Sequence, residues 1–369
     1  MYPSKGLQTA LNAMRQTSIE NGTLYHRMVS EVTDTTTIGE FGAPILDTAN
    51  LNVLNEFVGL LKKVVETAVE SKAFNNPLAQ LEGERMPLGN FIEQAYINPA
   101  NNPNQMSDFD VDDYMGLLAK YEAQVAVSYL SVNRDKIYSV SLTRDKIRNA
   151  FTSWNNLEEL ISGYINSLYS ASNIQRYKDI KMLPVSAFQA GAIKYEVVND
   201  VTDEQTAKNL IRKMRADYSK MQIPSTDYNA WQDVKGEDAF ALQTWTEPQD
   251  IVVLISADVE AMVDVEVLAS AFNMDKTTFL GKMIVVDSFD VINENGQKVF
   301  DGSTIKAMIA DRSWFKVKTQ DFSMSDFWNP RNKVWNYFLN DTYACNYNLF
   351  SNAKLYTTAE PTPSGSDSE

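Results

Sequence analysis

Apolar residues recur every three or four positions over residues 51–72 and again over residues 153–177 of the 369-residue chain. This spacing collects apolar side chains on one face of an α-helix, so both segments are predicted to be amphipathic helices. Between them, residues 87–150 are dense in β-branched and aromatic residues, which is typical of extended strands. Because few strand partners lie nearby in sequence, we expect this segment to pair its backbone and apolar groups outside the subunit.

Residues 186–310 alternate between strand-like and helix-like stretches, which predicts a mixed α/β region. The apolar runs at 251–256, 283–289 and 306–310 are typical of buried strands. Residues 258–272 are predicted to form a helix between two of them.

Finer patterns indicate local structure in the C-terminal half. Thr202 and Gln205 have the spacing of a capping box, which predicts the start of a helix. The apolar face of that helix consists of Leu210, Ile211, Met214 and Tyr218. Over residues 335–347 the aromatic residues nearly alternate, so we expect them on one side of a strand, filling a core or an interface. Stacking on nucleic-acid bases is the alternative, but the basic residues are too sparse there to favour it.

The two ends of the chain lack such periodicity. Residues 1–50 are polar and rich in Thr, Ser and Asn, so we expect an extended arm without a core of its own. Pro, Ser, Gly and acidic residues dominate the end of the chain, which predicts a disordered tail over residues 359–369.

Composition narrows the class of protein. The chain has 44% hydrophobic and 22% charged residues, as a folded globular protein does, and no apolar run or signal-peptide pattern predicts membrane insertion or export. A formal net charge of −15 argues against a role that depends on neutralising phosphates. With Cys345 and His26 as the only cysteine and histidine, the chain has no internal disulfide and no Cys/His metal cluster, which fits synthesis in a reducing cytoplasm.

No residue pattern favours catalysis or a metal site. The only histidine that could act as a base lies in the predicted arm, and the chain has no Gly-rich phosphate loop. Acidic residues at 108–113 resemble the start of a calcium loop, but Asp113 and Ala119 stand where such a loop needs glycine and glutamate. We interpret them as a solvated loop or the first turn of a short helix, with a weak cation site as the alternative.

A second group of acids alternates with valines on the helix predicted over 258–272 and is interpreted as its solvated face. It consists of Asp258, Glu260, Asp264 and Glu266. A carboxylate-dependent enzyme is the alternative, although no two acids have a spacing that favours acid-base work.

Several longer strings are more specific than any periodicity. They include IPSTDYNAW at 223–231, the block from SADVEAMV to VVDSF at 256–289, MIADRSWFKV at 308–317 and NPRNKVWNYFLN at 329–340. Together with strings near residues 75–96 and 151–171, they resemble the major capsid proteins of small short-tailed phages of the Salasmaviridae and their picovirus-like relatives. The resemblance covers roughly residues 50–355 in one consistent order.

The resemblance implies an α+β architecture, the Hong Kong 97-type phage capsid fold. Its elements would divide this chain as follows: an N-terminal arm at 1–50, a P-domain helix and connection at 51–86, an E-loop at 87–150, the P-domain spine helix at 151–185, an A-domain at 186–320, a C-terminal P-domain strand at 321–358 and a disordered tail at 359–369.

The resemblance also implies a function. The protein would be a virion component, made in the host cytoplasm, that self-assembles into hexamers and pentamers of an icosahedral or prolate head enclosing double-stranded DNA. It would be no enzyme and would need no cofactor, metal or membrane, and it would bind DNA without sequence specificity. Scaffolding, portal and head-fibre proteins are possible partners under this reading. The alternatives are an encapsulin-like nanocompartment shell and a tail or portal component.

In this fold the E-loop overlies an adjacent subunit, so the resemblance implies contacts between copies along residues 87–150. The candidate contact residues are Phe91, Tyr96, Val127, Tyr129 and Tyr138.

Overall fold

The computed structural model describes residues 2–47, 51–68, 74–86, 89, 91–99, 123–236, 239–262, 283–292 and 296–360. The chain divides into two compact units. Unit 1 consists of Met1–Asn76, Arg134–Arg176 and Asp321–Thr342, and unit 2 of Pro77–Asn133, Tyr177–Gln320 and Tyr343–Glu369.

The described part of the chain contains nine α-helices and twelve strands, numbered here in chain order. The helices are α1 (Lys5–Glu20), α2 (Tyr25–Met28), α3 (Ile38–Leu46), α4 (Leu51–Ala68), α5 (Arg144–Ala150), α6 (Trp154–Gln189), α7 (Glu204–Lys220), α8 (Trp231–Lys235) and α9 (Ala257–Glu260). The strands are β1 (Phe91–Ile97), β2 (Val125–Ser131), β3 (Arg134–Thr143), β4 (Lys194–Val197), β5 (Ile251–Ser256), β6 (Met283–Val286), β7 (Val291–Ile292), β8 (Lys298–Phe300), β9 (Ile305–Asp311), β10 (Phe315–Asn329), β11 (Val334–Tyr347) and β12 (Ala353–Thr357).

The N-terminal segment is helical and belongs to the core of unit 1, so the prediction of an extended arm without a core is wrong. The hydroxyl of Ser4 caps α1 by accepting a hydrogen bond from the Leu7 N–H at 3.3 Å, and Thr37 and Glu40 form a capping box at the start of α3. Both helices pack against α4. Their buried residues are Leu7, Ala10, Leu11, Met14, Phe41 and Ile45.

The core of unit 1 lies between these helices and a sheet. Residues of β10, β11 and β3 form a three-stranded sheet in that order, and alternate residues of β11 point into the core. The prediction of a helix from residue 51 is confirmed by α4, whose Phe57 is fully buried and contacts the rings of Tyr25 and Phe41 at 6.1 Å between centroids. The aromatic residues of β11 share one side as predicted, because Trp335 and Tyr337 are buried.

The second predicted helix exists but is longer than expected. The apolar pattern predicts an end near Tyr177, whereas α6 continues to Gln189 with Pro184 inside it. Its last turns are held by packing in unit 2, where Ile180, Leu183 and Phe188 are buried. Tertiary packing therefore offsets the cost of a proline within a helix.

Unit 2 is built on a five-stranded mixed sheet in the order β4-β12-β9-β5-β6. β5 runs parallel to β6 and antiparallel to β9, and β12 runs antiparallel to β9 and parallel to β4. All six residues of β5 are buried. Val252 and Leu254 belong to one apolar cluster and Ile251, Val253 and Ile255 to another, so both faces of the strand are covered. The predictions of buried strands at 251–256, 283–289 and 306–310 are confirmed in position.

The helix predicted after residue 202 is confirmed as α7, but its capping box lies one residue further along. Asp203 and Thr206 form the box, rather than Thr202 and Gln205. The Asp203 carboxylate accepts the Thr206 N–H at 2.8 Å, and a carboxylate at this position also favours the positive end of the helix. The predicted apolar face is buried at all four positions.

The segment 87–150 finds strand partners within the chain, so the expectation that its backbone pairs outside the subunit is wrong for these strands. β1 and β2 pair antiparallel over all seven residues of each strand, from Phe91 opposite Ser131 to Ile97 opposite Val125. β3 adds to the sheet with β11. Among the described residues of that segment, the hairpin of β1 and β2, called the β1–β2 hairpin below, forms a separate two-stranded sheet.

Some predictions fall outside the described residues. They concern the acids at 108–113, the helix after Glu260 with Asp264 and Glu266, and the tail from residue 361. Among the helices that the structure describes, none is long and apolar enough to cross a bilayer.

Candidate assembly interface

The β1–β2 hairpin has two chemically different faces. Side chains alternate along each strand, so residues of odd number lie on one face and residues of even number on the other. The burial of both strands follows this alternation, with the odd positions exposed and the even positions half-buried or, at Ala126, buried. We call these the outward face and the inward face.

The outward face is apolar although it is exposed. Its members are exposed as follows: Phe91 71%, Tyr129 67%, Ile97 65%, Val125 45% and Val127 36%. The pairing of strands sets Ile97 opposite Val125, and Ala95 opposite Val127, so that apolar side chains are neighbours across the hairpin. Glu93 and Ser131 are its polar residues. A contiguous apolar surface of this kind is typical of an interaction site.

The inward face packs on a small apolar cluster of the same unit. Tyr96 and Ala126 meet Trp231, Leu242 and Phe350 there. The ring centroid of Tyr96 lies 6.1 Å from that of Phe350, and its hydroxyl donates to the Gln243 carbonyl at 2.5 Å. Burial raises the pKa of Tyr96. The inward face therefore has its partner within the subunit, whereas the outward face has none among the described residues.

Asparagine side chains hold both ends of the hairpin. Asn98 follows β1; its Nδ2 donates to the Gln124 Oε1 at 2.9 Å and to the Ala241 carbonyl at 3.1 Å, and its Oδ1 accepts the Gln243 N–H at 2.9 Å. Asn133 follows β2; its Oδ1 accepts the Cys345 N–H at 2.9 Å and its Nδ2 donates to the Cys345 carbonyl at 3.0 Å. Each amide thus satisfies a backbone donor and a backbone acceptor at once.

The five contact residues predicted from the sequence lie in three different places: the outward face, the inward face and the core of unit 1. Phe91, Val127 and Tyr129 lie together on the outward face. Tyr96 lies on the inward face, and Tyr138 lies in β3 and packs against the core of unit 1. These two tyrosines are therefore packed within their own chain. Ile97 and Val125 belong to the outward face but were not among the predicted residues, although strand alternation from Phe91 and Val127 identifies them.

The residues considered as candidates for catalysis or metal binding lie in different parts of the fold. His26 lies in α2, where its N–H donates to the Ser18 Oγ at 2.9 Å. Asp258 and Glu260 lie in the short helix α9. Within the ranges that the structure describes, no three His, Cys, Asp or Glu side chains are grouped so that they could hold a metal ion.

The acidic charge is unevenly distributed between the two units. Unit 1 contains 14 basic and 15 acidic residues, whereas unit 2 contains 19 basic and 33 acidic residues. Nearly the whole net charge of −15 is therefore carried by unit 2.

A family model described as Phi29-like phage major capsid protein matches residues 11–357 of the chain. The major capsid protein of Bacillus phage B103 is 29% identical over 358 residues, which cover 96% of this chain and 73% of that protein. The major capsid protein of Bacillus phage PZA is 27% identical over 328 residues, covering 88% of this chain and 67% of that protein. That of Streptococcus phage Cp-1 is 24% identical over 316 residues, covering 82% of each.

Solved structures show the same fold. A chain of the capsid structure of Staphylococcus phage Andhra matches with a TM-score of 0.63 at 16% identity, over 78% of this chain and 86% of that chain. A chain from the structure of the head fiber and inner core protein gp22 of native bacteriophage P68 matches with a TM-score of 0.57 at 15% identity, with the same coverage of both chains. The chain has the Hong Kong 97-type capsid fold, as the sequence resemblance implied.

Proposed function

This chain belongs to the Phi29-like phage major capsid proteins, and from that membership we propose that its copies assemble into hexamers and pentamers of a closed phage head. The head would be icosahedral or prolate and would enclose double-stranded DNA. The observation that carries this proposal is the exposed apolar outward face of the β1–β2 hairpin.

A second copy of the chain is the occupant that we propose for the outward face. Shell proteins repeat one contact between identical copies, so each copy must present an apolar surface that its neighbour covers. Phe91, Tyr129 and Ile97 are each about two-thirds exposed in the single subunit. Covering them would contribute on the order of 3–6 kcal/mol, at about 1.5–3 kcal/mol for each fully buried apolar side chain, before the entropic cost of association is subtracted.

A modest contact of this size is sufficient for a shell. Each subunit meets several neighbours, and its release requires all of those contacts to break together. Weak single contacts also let a wrongly placed subunit dissociate before the shell closes.

The segment boundaries remain part of the proposal. We propose residues 87–150 as the E-loop, 151–185 as the spine helix and 186–320 as the A-domain. The β1–β2 hairpin supports the first assignment and α6 the second, because each is the expected element at the expected position. Residues 321–358 would be the C-terminal strand of the P-domain, and 51–86 its helix and connection.

We propose that the packaged DNA is enclosed without sequence-specific contacts. The large acidic excess of unit 2 supports this, since phosphates are repelled by a surface of the same sign. Synthesis in the host cytoplasm, a role without catalysis, and partnership with scaffolding, portal and head-fibre proteins belong to the same proposal and follow from the family.

The test replaces the outward face while leaving the hairpin in place. The triple variant Phe91→Ser/Val127→Thr/Tyr129→Ser removes apolar area from exposed positions, so it should fold normally but fail to form shells. Deleting the whole segment would be less informative, because Tyr138 and Val140 pack against the core of unit 1. Analytical ultracentrifugation and negative-stain electron microscopy measure assembly, and circular dichroism measures folding.

Glu93→Gln is the matched control, since it changes the same face without removing apolar area. The control should assemble as the unmodified chain does. Shells of ordinary size and yield from the triple variant would show that the outward face is not the contact between copies.

A further inference from the structure

Asn98 is a buried amide whose hydrogen bonds are all made within unit 2. It is 6% exposed, so it contributes almost no surface that a neighbouring subunit could touch. Its Nδ2 and Oδ1 hold the backbone of residues 241–243 from both sides, and its own N–H donates to the Gln124 carbonyl at 2.9 Å. Any effect of this residue on assembly must therefore act through the position of the β1–β2 hairpin.

The packing under the hairpin is too small to fix its direction alone. The cluster beneath the inward face has only four buried members among the described residues. Two polar atoms are also buried without a hydrogen-bond partner among the described residues: the Trp231 Nε1 in the cluster and the Gln94 Oε1 on the inward face. Unmet buried polar groups weaken such packing. The polar contacts of Asn98 and Tyr96 to residues 241–243 are therefore the specific part of this attachment.

We infer that Asn98 is a positioning residue, which fixes the direction in which the hairpin presents its outward face and thereby sets the geometry of the contact between copies. This inference rests on the proposed function of that face.

The two hydrogen bonds between the Asn98 side chain and residues 241–243, called the Asn98 clamp below, act at one end of a long hairpin. Asn133 holds one end, and seven residues of strand separate that end from Asn98. At about 3.3 Å per residue the far end lies about 20 Å away, so a swing of about 15° would move it by about 5 Å. That displacement exceeds the distance of about 4 Å over which apolar side chains touch. Without the clamp, each copy would offer its outward face in a range of directions.

An amide is suited to this position because it donates and accepts at once. In Asn98→Asp, the charged carboxylate would still accept the Gln243 N–H but would face the Ala241 carbonyl and the Gln124 Oε1 without a proton to donate. Lowering the pH protonates the carboxylate and restores one donor. Shell assembly by this variant should therefore recover as the pH falls. A simple loss of packing would not produce such a recovery.

The first measurement uses unassembled subunits. Spin labels at Glu93→Cys on the hairpin and Arg212→Cys on α7 report the distance between two positions of unit 2, and the native Cys345 is buried. Double electron–electron resonance should give a narrow distribution of the distance between the two labels when Asn98 is present. We expect Asn98→Ala to broaden it about twofold or more, because the loss of the two side-chain hydrogen bonds to residues 241–243 corresponds to about a tenfold change in the equilibrium between held and released hairpins.

The second measurement is assembly. Asn98→Ala and Asn98→Asp at neutral pH should lower the yield of regular shells about tenfold and increase irregular particles. Asn98→Asp should recover at lower pH, with the unmodified chain measured at the same pH. The matched control is Asn12→Ala in unit 1, because Asn12 clamps the Val32 backbone with the same pair of contacts, at 2.8 and 2.9 Å. This control should lower stability to a similar extent without the change in distance distribution.

The outcomes separate the two proposals. A distance distribution that stays narrow in Asn98→Ala overturns the inference, and so does normal shell geometry from a subunit whose distribution has broadened. Normal shells from the triple variant of the outward face, in contrast, overturn the proposed function itself. Loss of assembly in Asn98→Asp that returns on acidification supports the clamp even if Asn98→Ala fails to fold.

Discussion

Replacing Asp341 by alanine should lower the free energy of unfolding of the subunit by about 3–5 kcal/mol. The side chain of Asp341 is fully buried in unit 1 and belongs to β11. Its Oδ2 accepts hydrogen bonds from the Arg176 Nε at 2.9 Å and from the Ser172 Oγ at 2.6 Å, and its Oδ1 pairs with the Arg176 Nη2. The alanine variant removes the negative charge and leaves a guanidinium that is only 7% exposed.

The magnitude follows from burial rather than from the attraction between the charges. An exposed pair would contribute about 0–1 kcal/mol, because water screens it. At this site water is excluded, and the guanidinium Cζ also lies 5.8 Å from the ring centroid of Phe322. The cost of the substitution is therefore mainly the cost of keeping the charge of Arg176 buried after its carboxylate is removed.

Urea denaturation followed by tryptophan fluorescence, at concentrations below those that allow assembly, measures this change. The control is Ser172→Ala/Arg176→Met/Asp341→Leu, which replaces the whole polar group by apolar side chains and should be within about 1–2 kcal/mol of the unmodified chain. A loss below about 1 kcal/mol for Asp341→Ala, or a control as unstable as the single variant, would refute the argument from burial.

Two further expectations concern unit 2. Gly302→Ala should destabilise the subunit by about 2–3 kcal/mol, because the added Cβ would overlap the backbone of Phe289 and Asp290, whereas Gly163→Ala on α6 meets nothing within 4 Å and should be neutral or slightly stabilising in the same urea titration. Burial and a hydrogen bond to Asp287 raise the pKa of Tyr177 from 10.0 to about 12. The protonated form is therefore favoured by folding, so its stabilisation is complete below pH 10 and is lost as the pH rises towards 12. Tyr177→Phe should flatten that part of the pH dependence of the unfolding free energy, and an unchanged slope would contradict the assignment.

Periodic segments could be predicted from the sequence because one physical cause dominates them. The strand from residue 251 is a continuous apolar run that is buried on both faces. The helix from residue 51 buries apolar side chains at the period of its own backbone, so its pattern alone identifies the element. The aromatic side of β11 follows the same rule. In these segments local pattern and tertiary packing agree.

The sequence did not predict the N-terminal helices, because small and polar residues make their apolar periodicity weak. The buried stripe of α1 uses Ala10 and Ser18 beside larger residues, and α3 contains two glycines and Pro44 within nine residues. Polar residues dominate the rest of α1. The one usable signal was Thr37 three residues before Glu40, the spacing of a capping box, which the structure contains.

The pairing of β1 with β2 and the hydrogen bonds of Asn98 could not be predicted in this way, because they depend on residues far apart in the chain. β1 and β2 each carried a strand pattern, but the sequence did not indicate that they pair with each other across the 27 residues between Ile97 and Val125. Asn98 lies 143 positions from Ala241, and no periodicity or motif marks either residue. Such contacts become visible only once the backbone of both partners is in place.

The hairpin depends both on strand alternation and on contacts with residues far away in the chain. The sequence alone therefore does not identify which of its two faces is exposed. Strand alternation alone divides Phe91, Val127 and Tyr129 from Tyr96, but it does not say which set is covered by the subunit. The covered set is decided by Trp231 and Phe350, which come from distant parts of the chain. Since the inward face packs within its own unit, the outward set is the one that we propose binds a neighbouring copy. In the proposed contact between copies, the apolar face would supply the area and the amide of Asn98 the direction, so a shell of defined curvature would require both.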